Sequence, residues 1–225
     1  MLQTRYFAHR GFGVLAPDLP GHGLSGGAPL TSIGDMADWI DGLLANLGVA
    51  QATLVGHSQG VLVALETASR HPERVAALTL IAGAMAIPVN DALIEMSQSA
   101  LEKAFRMMTS WGHGPGAHKF DNTQPGHAFL GYGRRVMAQN DGAALHADLV
   151  ACNSYDGGKD AAASVTQPSL CLLAGKDKMT PVKFGRKMAE QISGAQCHVF
   201  ERAGHFLPAE FPIEVNDAMA AFLQR

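Results

Sequence analysis

Short apolar runs alternate along the chain with longer segments in which apolar residues recur every three or four positions. The short runs predict buried β-strands at residues 13–17, 52–55, 75–81, 170–174 and 196–200. The longer segments predict helices at residues 2–9, 33–47, 60–69, 182–192 and 213–223. Strands that alternate with amphipathic helices indicate an α/β fold, in which a mostly parallel sheet is covered by flanking helices on both faces.

The interval of residues 84–166 breaks this alternation. It begins with a helical stripe formed by Met96, Leu101, Phe105 and Met108, becomes rich in glycine and histidine over residues 112–133, and is helical again over residues 136–151. We interpret residues 84–166 as a helical cap inserted into a core that consists of residues 1–83 and 167–225.

The composition narrows the class of protein. With 225 residues, 47% of them hydrophobic, the chain can form one sizeable core, and a net charge of −3 without a basic stripe predicts no nucleic-acid partner. The longest apolar run, residues 75–89, contains Gly83 and Pro88 and is shorter than the roughly 18–20 residues of a membrane span. Three scattered cysteines are typical of a cytoplasmic protein. A homodimer is left open.

A nucleophile motif occupies residues 56–60, which read Gly-His-Ser-Gln-Gly. This G-x-S-x-G pattern lies between a predicted strand and a predicted helix, the context in which a sharp turn exposes a serine hydroxyl. Ser58 is therefore the candidate nucleophile. The next backbone N–H, that of Gln59, lies at a helix N-terminus and can stabilise a developing oxyanion.

A serine hydroxyl needs a base that takes its proton, and a group that orients this base. His205 follows the last predicted strand, as the base of such a site is expected to do. Asp177 follows the preceding strand, so the order Ser58, Asp177, His205 is the serine–acid–histidine order of this type of site. These residues are the predicted catalytic triad.

Residues 18–25, Asp-Leu-Pro-Gly-His-Gly-Leu-Ser, add a further match. Together with the elbow and the segments around Asp177 and His205, they resemble the α/β-hydrolase superfamily in its capped, esterase-like branch. The resemblance implies hydrolysis of a small apolar ester through an acyl-enzyme, with no metal and no organic cofactor. Ser58 stands where dehalogenases and epoxide hydrolases of similar pattern carry an aspartate, which argues against both of those activities.

The resemblance is incomplete at the start of the chain. The family pattern begins with three strands and a loop rich in histidine and glycine, which supplies the second oxyanion donor. We expect that Met1 is an internal methionine, that roughly 30–50 further residues precede it, and that the second donor is missing from this chain.

Three alternatives follow. The same triad could serve a thioesterase, a perhydrolase or a hydrolase of carbon–carbon bonds; the protein could bind a ligand without turnover; or this chain could be an inactive fragment. For any of these activities, the candidate substrate contacts are His57, Trp111 and Phe206.

Overall fold

The computed structural model describes residues 2–118, 126, 128–140 and 142–224. Within them, four parallel strands form one sheet in the order β1-β2-β3-β4. The strands are β1 (Ala52–His57), β2 (Val75–Ile81), β3 (Ser169–Ala174) and β4 (Gln196–Phe200). The predicted parallel sheet is therefore confirmed. Because parallel strands end at the same edge of a sheet, the loops after β1, β3 and β4 meet there.

Eleven α-helices accompany this sheet in the part of the chain that the structure describes. In chain order they are α1 (Leu2–Ala8), α2 (Ile33–Asn46), α3 (Gln59–Arg70), α4 (Asp91–Ser99), α5 (Leu101–Gly112), α6 (Phe129–Met137), α7 (Gly142–Ser154), α8 (Gly158–Ser164), α9 (Val182–Gln191), α10 (Leu207–Glu210) and α11 (Pro212–Leu223). Short 3-10 helices occupy Pro72–Arg74 and Pro115–His118. None of the helices among the described residues is long and apolar enough to cross a membrane.

Both faces of the sheet are covered, because successive side chains of a strand point to opposite sides. In β3, Cys171 and Leu173 pack with α3 and α9 on one face. Leu170 and Leu172 pack with α1 and α11 on the other face. This two-sided burial explains why β3 is apolar after Ser169 and has no alternating polar positions.

The strand predicted at residues 13–17 is not formed. These residues have no strand partner, and Val14 and Leu15 are 38% and 53% exposed. A strand exists only where its backbone groups pair with a neighbour, and no described strand adjoins the outer edge of β1. Instead, residues 12–19 and β1 both contribute to the lining of an apolar cavity of about 1230 Å³. The prediction of a buried strand at residues 13–17 was therefore wrong.

Helices α4 to α8 lie between β2 and β3, the interval predicted to be the cap. The predicted helical stripe falls on α4 and α5, and the later helical part is divided between α6 and α7. Residues 119–125 and 127, in the stretch rich in glycine and histidine, lie outside the described residues. Helix α8 packs into the core with Ala161, Ala162 and Val165, beside Val61 of α3.

Candidate active site

Ser58 lies in a strained turn between β1 and α3. Its φ and ψ angles are 55° and −120°, a conformation that a residue with a side chain adopts rarely and only where the surrounding fold enforces it. Gly56 allows this turn, since a Cβ atom there would lie 2.1 Å from the Gly60 carbonyl oxygen. The backbone N–H of Ser58 donates to the Ile81 carbonyl at 3.1 Å, which ties the turn to the end of β2.

Gln59 begins helix α3, so its backbone N–H lies in the first turn, where helical N–H groups have no intrahelical acceptor. No acceptor is bonded to this N–H in the part of the chain that the structure describes. The N-terminal end of a helix also favours negative charge. This is the position predicted for an oxyanion donor. The Gln59 side chain points elsewhere and donates to the Asp148 carbonyl of α7 at 3.1 Å.

Asp177 and His205 form a buried pair, in which His205 Nδ1 lies 2.8 Å from Asp177 Oδ2. Asp177 Oδ1 accepts from the backbone N–H groups of Met179 and Thr180, each at 2.8 Å. The Thr180 hydroxyl lies 2.8 Å from Oδ2. Although burial opposes ionisation, the bonds from His205 and Thr180 hold the pKa of Asp177 below its usual range. The carboxylate is thus ionised and fixed in orientation.

His57 joins the loop of His205 to the elbow of Ser58. Its Nε2 lies 2.7 Å from the His205 carbonyl oxygen, and the two imidazole rings are 4.8 Å apart. Since a carbonyl only accepts, Nε2 of His57 carries the proton. Burial and the adjacent His205 lower the pKa of His57 to about 4, so this ring is neutral at neutral pH. No hydrogen bond joins the Ser58 hydroxyl to His205 among the described residues; such contacts often tighten only when substrate binds.

Phe206 lies between the catalytic loop and the cap. Its ring centroid is 4.6 Å from that of His113 and 6.2 Å from that of His57. Trp111 lies in the last turn of α5 and is 38% exposed. The next residue, Gly112, is held against Phe206: its carbonyl accepts from the Phe206 N–H at 3.1 Å. The substrate contacts predicted for His57, Trp111 and Phe206 stay predictions.

Sequence reasoning missed two features that surround this site. Glu210, buried in α10, accepts hydrogen bonds from Gly114 of the cap and from Gly204. His22 Nε2 lies 3.0 Å from Asp148 Oδ2 of α7. Although burial opposes it, the negative charge of Asp148 raises the pKa of His22. The sequence did offer one sign of this role: Glu210 is the single charged residue in the apolar stretch 206–213 that follows His205.

One group of described residues could offer three metal ligands, because ligand atoms of Asp41, His71 and Glu73 lie within 4.8 Å of one another. Asp41 is already paired with Arg74 at 2.6 Å, and no residue of this group belongs to the Ser58 site. The lining of the apolar cavity of about 1230 Å³ includes Gln59 and Gly60 but not Ser58, Asp177 or His205.

The comparisons with known proteins agree with this architecture. Residues 2–218 match the model of the alpha/beta hydrolase family. The chain also superimposes on bromoperoxidase from Bacillus anthracis with a TM-score of 0.86, covering 100% of this chain and 86% of that one at 19% identity. An identity this low shows a shared fold alone.

Three curated relatives carry different activities. The dihydrolipoyllysine-residue acetyltransferase component of the acetoin cleaving system of Pseudomonas putida is 31% identical over 94% of this chain, which spans only 56% of that protein. The pimeloyl-[acyl-carrier protein] methyl ester esterase of Neisseria meningitidis is 30% identical over 85% of this chain and 75% of its own length.

The third relative is the 2-hydroxy-6-oxononadienedioate/2-hydroxy-6-oxononatrienedioate hydrolase of Burkholderia vietnamiensis. It is 27% identical over 97% of this chain and 79% of its own length. Since the family model matches nearly the whole chain, this chain belongs to the alpha/beta hydrolase family.

Proposed function

We propose that this chain hydrolyses small, largely apolar carboxylic esters through an acyl-enzyme formed on Ser58. His205 is the general base, and Asp177 orients it. The observation that carries the proposal is the buried 2.8 Å contact between Asp177 and His205, which His57 ties to the strained turn of Ser58. A nucleophile, a base and a group that orients the base are the three parts that acyl transfer requires.

In the acylation step, Nε2 of His205 takes the hydroxyl proton of Ser58 while Oγ attacks the ester carbonyl. The carbonyl oxygen becomes an oxyanion, which accepts a hydrogen bond from the Gln59 N–H. Asp177 stabilises the imidazolium through the Nδ1–H of His205 but does not itself take the proton. Collapse of the intermediate then breaks the ester bond, and His205 gives its proton to the leaving alcohol.

In the deacylation step, water replaces the alcohol. His205 takes a proton from this water, and the hydroxide equivalent attacks the acyl carbon of the Ser58 ester. The proton returns to Oγ of Ser58 as the carboxylic acid leaves, so the enzyme is restored. No step requires a metal or an organic cofactor.

Two observations support an apolar ester. Phe206 lies against His113 of the cap and near His57, so aromatic rings lie beside the loop of His205. In addition, one relative that is 30% identical to this chain is named a methyl ester esterase. Apolar walls with a few polar groups are typical of sites for small molecules.

Hydrolysis of a carbon–carbon bond is the second candidate. It is favoured by the relative named as a hydrolase of 2-hydroxy-6-oxo dioic acids, which aligns with 97% of this chain. The same triad would serve it, since water is added to a ketone carbonyl and the carbon leaving group is protonated. The two candidates differ in the substrate that is turned over.

The test is a substrate panel with matched serine variants. p-Nitrophenyl acetate, butyrate and octanoate and a 2-hydroxy-6-oxo dienoic acid are each assayed with the wild type, with Ser58→Ala and with Ser99→Ala, an exposed serine of α4. We expect ester hydrolysis by the wild type and Ser99→Ala, and none above background by Ser58→Ala. Turnover of the dienoic acid alone would favour the second candidate. Ester hydrolysis that survives in Ser58→Ala would contradict the nucleophile.

A further inference from the structure

Glu210 is a buried carboxylate that joins the cap to the loop of His205. The residue is only 4% exposed. One carboxylate oxygen, Oε2, accepts from the Gly114 N–H at 2.8 Å, and the other, Oε1, accepts from the Gly204 N–H at 3.1 Å. Gly114 follows α5 in the cap, whereas Gly204 directly precedes His205. One side chain therefore holds both segments.

The two glycines lie in direct contact. A Cβ atom on Gly204 would lie 2.1 Å from the Gly114 nitrogen, and one on Gly114 would lie 2.7 Å from the Gly204 nitrogen. Two N–H groups at such close range both need an acceptor, because an unpaired buried N–H is costly. The carboxylate of Glu210 supplies one oxygen to each of them.

This carboxylate acts on the backbone that carries His205. The Gly204 N–H is bonded to Glu210, the His205 carbonyl accepts from His57 at 2.7 Å, and the Phe206 N–H donates to Gly112 at 3.1 Å. Each of the consecutive residues 204–206 is thus anchored through its backbone. The anchor of Phe206 lies in the cap segment 112–114, and Glu210 is the side chain that joins this segment to Gly204.

The proton state of Glu210 decides how many bonds it can accept. Burial raises the pKa of Glu210 to about 7, against the two backbone hydrogen bonds that lower it, and Asp177 adds to the rise. A protonated carboxyl keeps one good acceptor oxygen and gains a donor, so it cannot satisfy both N–H groups. Among the described residues, Asp177 is the titratable group whose charge acts on Glu210. The backbones of His113 and Arg202 lie against the two glycines, and His57 bonds to the His205 carbonyl.

We propose that Glu210 is a positioning residue, which clamps the cap segment at Gly114 to Gly204 and thereby holds His205 in its reactive place. The effect on catalysis rests on the proposed function of Ser58 and His205, whereas the clamp itself does not. Glu210 touches neither substrate nor the reacting atoms; it acts through the backbone of residue 204.

The catalytic readout compares Glu210→Gln with Glu214→Gln, an exposed glutamate four residues later in α11. Hydrolysis of p-nitrophenyl butyrate is measured per folded molecule, with the folded fraction taken from circular dichroism. We expect Glu210→Gln to lower kcat about 10- to 100-fold, the effect of a small displacement of a catalytic group, with little change in KM. Glu214→Gln should match the wild type. An unchanged kcat for folded Glu210→Gln would overturn the positioning role.

The structural readout does not depend on turnover. Protein labelled with ¹⁵N-glycine is titrated from pH 5 to pH 9, and the amide signals of Gly114 and Gly204 are followed by NMR. In the wild type and Glu214→Gln, both signals should shift together with one midpoint near the pKa of about 7; in Glu210→Gln neither should. Independent or absent titration of the two signals in the wild type would overturn the clamp. A wild type without serine-dependent hydrolysis would reject the proposed function and leave this readout decisive for the clamp.

Discussion

Replacing Asp177 by asparagine should disable the site while leaving its shape intact. The amide oxygen of the new side chain must take the place of Oδ1, because that position accepts the N–H groups of Met179 and Thr180 at 2.8 Å. The amide NH₂ then takes the place of Oδ2 and faces His205 Nδ1 at 2.8 Å. Nδ1 becomes an acceptor, so the neutral imidazole carries its proton on Nε2. That nitrogen can no longer take the proton of Ser58.

The expected loss of turnover follows from this change of the His205 tautomer. A substitution that preserves geometry but reverses the histidine tautomer lowers turnover by about 10⁴-fold, which corresponds to about 5 kcal/mol of lost transition-state stabilisation. The assay is steady-state hydrolysis of p-nitrophenyl butyrate, with circular dichroism as a check that Asp177→Asn is folded. The matched control is Asp160→Asn, an exposed aspartate of α8.

The outcome that would refute this reasoning is a folded Asp177→Asn whose kcat/KM lies within 10-fold of the wild type. Asp177 would then be a structural residue that organises the turn before Thr180, and the orienting group of the site would have to be another carboxylate.

Three further perturbations test other parts of the account. Gly56→Ala should lower the free energy of unfolding in urea by about 1–3 kcal/mol or more, because the new Cβ would lie 2.1 Å from a backbone oxygen. The control Gly42→Ala, whose Cβ would meet nothing within 4 Å, should stabilise α2 by about 0.5–1 kcal/mol. Equal effects of the two substitutions would contradict the elbow geometry. The pKa of Glu210 is about 7 in the folded protein, against an ordinary value of 4.5. Glu210 therefore contributes to the free energy of unfolding in full below pH 4.5, and this contribution is lost as the pH rises through 7. Glu210→Gln should remove this loss in urea unfolding across that range; an identical pH dependence would contradict the raised pKa. Val55→Lys, at a half-exposed position on the unpaired edge of β1, should lower light scattering by concentrated protein. The added charge should prevent molecules from pairing through this edge, so unchanged scattering would exclude the edge as a site of self-association.

Much of the fold could be predicted, because its determinants are local in the sequence. The strand at residues 75–81 is apolar except for Thr79, and β2 has the same bounds in the structure. The elbow was recognisable from the two glycines around Ser58, and the close approach of Gly56 to the backbone of Gly60 explains the first of them. Ser58, Asp177 and His205 each follow a strand of the parallel sheet, so their loops lie at one edge of it.

What could not be predicted depends on contacts between distant residues. The run at residues 13–17 has the composition of a strand, but a strand forms only where a neighbour pairs with it. In the structure this run and β1 line one cavity and do not pair. Glu210 gave only a weak signal, because one of its partners, Gly114, is 96 positions away. The contact of His22 with Asp148 spans 126 positions and was equally invisible.

The central claim is that Ser58 is the nucleophile, and covalent trapping tests it most directly. The wild type, Ser58→Ala and Ser99→Ala are incubated with a fluorophosphonate, digested and examined by peptide mass spectrometry. The account predicts one label per chain on the peptide that contains Ser58 in the wild type and in Ser99→Ala, and no label in Ser58→Ala. A label on another residue, or equal labelling of Ser58→Ala, would contradict it.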